Sequence, residues 1–180
     1  MAKPLFSGSM NGDATWTFSN LERRKRALVA RKAFFARQRS LGNTFRREPS
    51  SDRYYERVGD GLVLGITYSS QNENGKWWFN LTEGHFREAV FLCRCGPRSV
   101  KVIHLPKDFL DRWQRLLSRN SREIIDGDET CHEVEFTFSK EGQKWLFHVP
   151  GPTGALDVTQ YAEPGELDCS SFDQFLEDFV

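Results

Sequence analysis

The spacing of apolar residues changes twice along the chain, and each change marks a different kind of element. From Asn20 to Leu41 the apolar residues follow no period of two, Ser19 and Glu22 fit a capping box, and Gly42 supplies a stop. These features predict a helix over residues 20–41, preceded by a flexible leader over 1–18 and followed by a loop, "NTFRREPSSDR". From Tyr54 the period becomes two. "GLVLGITYSS" and "KWWFNL" read as strands flanking "QNENG", whose Asn74-Gly75 pair tolerates positive φ and predicts a hairpin. "EAVFLCRCG" and "RSVKVIHLP" read as two further strands joined at Gly96-Pro97.

Pro106 then opens a segment in which Phe109, Leu110, Trp113, Leu116 and Leu117 recur at helical spacing, the pattern of a helix packed on a core. "HEVEFTF" and "KWLFHV" predict a second strand pair, and "ALDVTQY" an edge strand. In the tail, Phe172, Phe175, Leu176 and Phe179 fall at i, i+3, i+4 and i+7, a short amphipathic helix with acids between. Consecutive strands with short turns and segregated helices predict an α+β fold: an antiparallel or mixed sheet of about six strands, a basic N-terminal helix, one central packing helix and a short C-terminal helix. The domain is expected over residues 19–160, with 161–180 as an acidic amphipathic tail.

Composition changes this picture little. Fifteen Phe, five Trp and four Tyr in 180 residues supply enough bulk for a real interior. No apolar run is long enough for a membrane span or a secretory signal, and four cysteines are too few for a disulfide framework in a chain of this size, so a cytoplasmic protein with reduced thiols is expected.

Charge changes it more. The formal net charge is zero, yet residues 20–47 hold ten Lys or Arg and one acid, Glu22, while residues 151–180 hold seven acids and no Lys or Arg. On a helical wheel Leu21, Leu28 and Phe35 share one narrow strip and Ala27, Phe34 and Leu41 another, with cations almost all round. Such a helix suits a phosphate backbone better than a protein core. The expected nucleic-acid contacts are Arg23, Arg24, Lys25, Arg26, Arg31, Lys32, Arg37, Arg39, Arg46 and Arg47. A second stripe, Arg112, Arg115 and Arg119 on the helix after Pro106, is positioned to flank the same duplex. In "GKWWFNL", alternation puts Trp77, Phe79 and Leu81 on one face and Trp78 on the other, where Trp78 beside Lys76 can stack on a base. Phe172, Phe175, Leu176 and Phe179 are the expected contacts with a partner protein.

Catalytic chemistry has weaker footing. A metal-dependent nuclease needs an acid on one strand and acid-x-Lys on the next; the nearest match is Asp60 with Glu73 and Lys76, and Glu73 falls in the predicted turn, two residues rather than one from Lys76. Glu133 and Glu135 share a strand face without such a lysine. Cys93, Cys95, Cys131 and His132 lack zinc-knuckle spacing, and the thiols read as buried small hydrophobes. No P-loop, G-x-S-x-G or dinucleotide fingerprint occurs. No metal, no cofactor and no catalytic residue is therefore expected.

The succession "GKWWFNL", "AVFLCRCG" and "VKVIHLPKDFLDRW", within residues 62–117, resembles DNA-associated modules of bacterial restriction and phage-defence proteins. These include DNA readers and restriction-endonuclease-like nucleases, and the resemblance implies DNA association more than cleavage. The expected function is a small, non-enzymatic nucleic-acid-binding protein, with DNA slightly favoured over RNA, in a bacterial defence or nucleoprotein complex. The alternatives are a protein-interaction subunit whose basic arm and acidic tail meet partner proteins, and a metal-dependent restriction-like nuclease.

Overall fold

The computed structural model describes residues 11–49, 51–119, 121–126, 129–149 and 154–170. Among them, α1 (Asn11–Ser40) is followed by β1 (Phe45–Arg47), β2 (Tyr54–Arg57), β3 (Val63–Ser70), β4 (Lys76–Thr82), β5 (Glu88–Arg94), β6 (Ser99–Leu105) and α2 (Lys107–Arg119). Then come β7 (Ser121–Asp126), β8 (Glu129–Glu141), β9 (Lys144–His148), β10 (Ala155–Asp157), a 3-10 turn (Thr159–Tyr161) and β11 (Leu167–Asp168). The α+β class holds, and the main sheet has six strands in the order β1-β2-β3-β5-β6-β11. It is mixed: β3 and β5 are parallel and the remaining pairs antiparallel.

A second, five-stranded antiparallel sheet, β10-β9-β8-β4 with β7 also paired to β8, stacks on the first. Two apolar clusters result, one on each face of the six-stranded sheet. Trp77, Phe79 and Leu81 of β4, Phe91 of β5, Phe136 and Phe138 of β8 and Phe147 of β9 fill the space between the sheets, and Phe109, Leu110 and Leu117 of α2 pack against the same cluster. Val29, Ala30 and Phe34 of α1 cover the opposite face, on Tyr55, Leu64, Ile66, Tyr68, Val90, Leu92, Val100 and Val102. The odd-even alternation of β5 and β6 thus serves two cores, which is why both strands read as nearly continuous apolar runs.

The expected hairpin at Asn74-Gly75 is a different object. The turn forms, with Gly75 at φ 72° and Asn72 Oδ1 accepting from the Asn74 and Lys76 amides at 3.0 and 2.9 Å. The strands it joins enter different sheets, because both edges of β3 are already taken by β2 and β5. The inner face of β3 explains why stacking is favoured over pairing. It carries Gly65, Thr67 and Ser69, and a Cβ on Gly65 would lie 2.8 Å from Leu81 Cδ1. Small residues on β3 therefore receive the large side chains of β4 from the layer above, at a density that added volume would disrupt.

Three other boundaries differ from expectation. α1 begins at Asn11, so Ser19 and Glu22 are interior to the helix rather than a capping box, and the expected leader gives up its residues from Asn11 onward. Part of the expected loop after α1 is strand β1, a three-residue element with one apolar side chain and no alternation long enough to detect. Residues 161–170, assigned to the tail, belong partly to the sheet: β11 pairs with β6, and Leu167 and Cys169 are buried against the α1 face. The tail positions Phe172, Phe175, Leu176 and Phe179 lie outside the described residues, as does the start of the leader. No described helix is long and apolar enough to cross a membrane.

Candidate nucleic-acid interface

α1 is the source of most of the candidate residues, and it is not a free arm. Ala30, Phe34 and Gln38, spaced by four, form a buried seam with Val29. A seam this narrow leaves the long cationic side chains room to emerge on either side of it. Neither wheel strip is buried as a whole: Leu21 and Leu28 are exposed while Phe35 of the same strip packs against the helix–sheet cluster, and Phe34 is buried while Leu41 of its strip is exposed. The Phe34 ring lies 5.5 Å from Phe35 and 6.3 Å from Phe45.

Docking divides the cations. Arg37 donates to the Pro164 carbonyl at 2.6 Å and its other terminal nitrogen lies 3.3 Å from Glu163. Arg26 pairs with Glu22 one turn away, and Arg46 donates to Glu56 across β1 and β2 at 2.6 Å. Lys25 and Lys32 also have interaction partners, so neither is a free charge. Arg23, Arg24, Arg39 and Arg47 are exposed.

A groove of about 840 Å³ runs between α1 and the β1–β3 side of the six-stranded sheet. Arg23, Arg24 and Arg31 line it from the helix, Arg47 from β1, Arg53 from the β1–β2 loop, and Tyr55, Ile66, Thr67 and Tyr68 from the sheet. Asn80 of β4 closes it toward the second sheet. Five arginines share the groove with one carboxylate, Asp52, which lies 3.3 Å from Arg31. A smaller cleft lined by Phe35, Arg39, Phe45 and again Arg47 and Tyr55 extends the cationic track toward the C-terminal end of α1. Clustered guanidiniums beside low-dielectric walls concentrate positive potential and match the planar geometry of phosphate oxygens.

Sequence reasoning missed Arg53, Asp52, Tyr55, Tyr68 and Asn80. Arg53 sits in a short irregular stretch, and its link to the site is a long-range contact: its Nη1 lies 3.4 Å from Asn80 Oδ1, while Asn80 donates to Glu133 at 2.8 Å. The one available signal was the extra arginine immediately before the Tyr54-Tyr55 strand.

The second basic stripe is not brought to the groove. Arg112 and Arg115 are exposed on α2, which packs into the inter-sheet cluster, whereas α1 covers the other face of the six-stranded sheet. Arg119 ends the same helix. The two stripes therefore lie on helices that pack on opposite faces of the six-stranded sheet. Lys76 and Trp78 are not in the groove lining; they share the face of β4 that carries Asn80, four and two residues from it, and Trp78 is 38% exposed while Trp77 is buried with its Nε1 donating to the Arg94 carbonyl at 2.9 Å.

The carboxylates weighed for metal chemistry are also separated. Asp60 precedes β3 and Glu73 follows it, so the eight residues of that strand, roughly 25 Å, stand between them. Asp60 is held by Arg57 at 2.6 Å, and that hydrogen bond keeps its carboxyl below the usual range. Cys93 is buried in the inter-sheet cluster, with its thiol pushed well up by burial, and Cys131 is in the other sheet. Among the described residues no group of three His, Cys, Asp or Glu is arranged to hold a metal ion. No family model, curated protein or solved structure matches the chain.

Proposed function

We propose that this chain is a non-enzymatic nucleic-acid-binding protein that holds a phosphate backbone in the groove between α1 and β1–β3. The observation that carries the reading is the convergence of Arg23, Arg24, Arg31, Arg47 and Arg53 on one groove with a single carboxylate among them. Three separate elements supply these arginines, so the cluster is a product of folding and not merely of a basic helix. Guanidiniums displaced onto phosphates release condensed counterions, which makes affinity fall steeply with salt. The resemblance of residues 62–117 to DNA-associated modules of restriction and phage-defence proteins favours DNA, and a bacterial defence or nucleoprotein complex, as the setting.

Binding of labelled DNA and RNA measured over a salt series tests this. The expected result is a steep inverse dependence on salt that weakens when Arg24 and Arg47 are changed to Gln. Failure to bind any nucleic acid at low salt would defeat the proposal.

A protein-interaction subunit is the second reading, and one observation favours it. Leu21 is 51% exposed on α1 and lies outside the groove lining, where an apolar contact with another chain would cover it. Pull-down with Leu21→Ser separates it from the first: loss of a partner with nucleic-acid binding retained supports the interaction role.

A further inference from the structure

We infer that the groove takes single-stranded rather than duplex nucleic acid, with a base stacked on Trp78; this rests on the groove being a phosphate site. Trp78 and Asn80 occupy the same face of β4, two residues and so about 7 Å apart. Asn80 lines the groove and Trp78 is exposed, so a strand that leaves the groove past Asn80 and continues along β4 reaches the indole.

The surroundings of Trp78 suit an unpaired base. Across the sheet it lies opposite Thr137, which lies opposite His148. Burial, followed by the nearby Lys76 charge, lowers the His148 pKa, so this row is uncharged near neutral pH. Lys76 is the next residue along the same face and is available to a phosphate. Stacking on an indole requires a free π-face, which a base in a duplex does not offer.

Tyr68 lines the same groove from β3, with its hydroxyl lying beneath the surface. Its side chain is 6% exposed, and its hydroxyl has no hydrogen-bond partner among the described residues. A buried hydroxyl without a partner is a standing cost unless something else accepts from it. A phosphate oxygen or base carbonyl fills that role where the groove wall opens around a bound strand.

The test uses the full chain and fluorescein-labelled oligo(dT) and oligo(U) of about 12 nucleotides, with a duplex of equal length, at about 50 mM salt. Anisotropy is expected to give at least tenfold tighter binding to a single strand than to duplex, with quenching of tryptophan emission. Trp78→Ala is expected to weaken single-strand binding about tenfold and leave duplex binding unchanged, while Trp78→Phe restores most of it. Tyr68→Phe is expected to lower single-strand affinity a few-fold without lowering the melting temperature. The inference is overturned if duplex binds as tightly as single strands and Trp78→Ala alters neither. In that case salt-dependent binding through Arg24 and Arg47 still stands, whereas absence of binding to every probe removes the groove as a phosphate site altogether.

Discussion

The two halves of α1 are built from similar residues and put to different uses. In the second half Phe34 is buried at 1% exposure, Gln38 is buried beside it, and Arg37 is spanned by Glu163 and the Pro164 carbonyl. In the first half Arg23 and Arg24 stand exposed over a groove, and Leu21 faces solvent. Arg31 sits between these regimes, 12% exposed and paired with Asp52, yet still part of the groove wall. Local charge density therefore overstates the charge a ligand can use. Arg31 and Arg37 beside the apolar seam are held by Asp52, Glu163 and the Pro164 carbonyl, and Arg26 by Glu22, whereas Arg23, Arg24 and Arg39 stay exposed.

The sharpest way to break this comparison is Phe34→Ala. Removing a fully buried ring from the helix–sheet cluster is expected to cost about 3–5 kcal/mol, read by denaturant or thermal unfolding. A loss near zero would mean that the second half of α1 is as loosely attached as a free arm.

Arg37→Ala is expected to cost about 1 kcal/mol, because it removes a partly buried ion pair and a hydrogen bond to a carbonyl. Nucleic-acid affinity should change little. An equal loss of affinity and no loss of stability would place Arg37 with the binding cations instead.

Glu88 extends the contrast to a guanidinium outside the helix. It lies on β5 with Oε2 2.8 Å from His104 Nε2 and 3.6 Å from Arg57, and these partners, His104 first, lower its pKa. A carboxyl with a folded pKa below its unfolded value, about 4.3, contributes stability above that value and loses it as pH falls through the folded one. Unfolding measured from neutral to acid pH should therefore show a decline that Glu88→Gln flattens. An unchanged acid profile in that variant would mean that His104 and Arg57 do not stabilise the Glu88 carboxylate.

The smallest expected effect on stability comes from Arg23→Gln with Arg24→Gln, within about 0.5 kcal/mol of wild type. The same pair should lower the slope of log affinity against log salt by roughly 1 to 2. A large drop in melting temperature would show that the first half is structural as well.

How much of this was legible beforehand follows from the range of each interaction. The alternation in β3, β4, β5, β6, β8 and β9 was visible, as were the α2 face and the turn at Asn74-Gly75. Strand β1 was hidden by its length, and the groove by its composition from distant segments. Arg53 carried no periodic signal, and Tyr68 read as one more aromatic on a strand.

The sequence by itself determined which residues alternate, that Trp77 and Trp78 face opposite ways, and that positive charge gathers ahead of Arg47. These depend on neighbours a few residues apart, whose directions are set by strand and helix geometry alone. Only the tertiary structure decided that β4 leaves β3 for the second sheet, because the choice turns on Leu81 packing where Gly65 has no side chain. It also decided which cations stay open, since Glu163 and Asp52 reach Arg37 and Arg31 from parts of the chain that no local pattern connects to them. A hydrophobic period shows only which way a side chain points. Its partner is chosen by the complementary volumes and charges that folding brings opposite it.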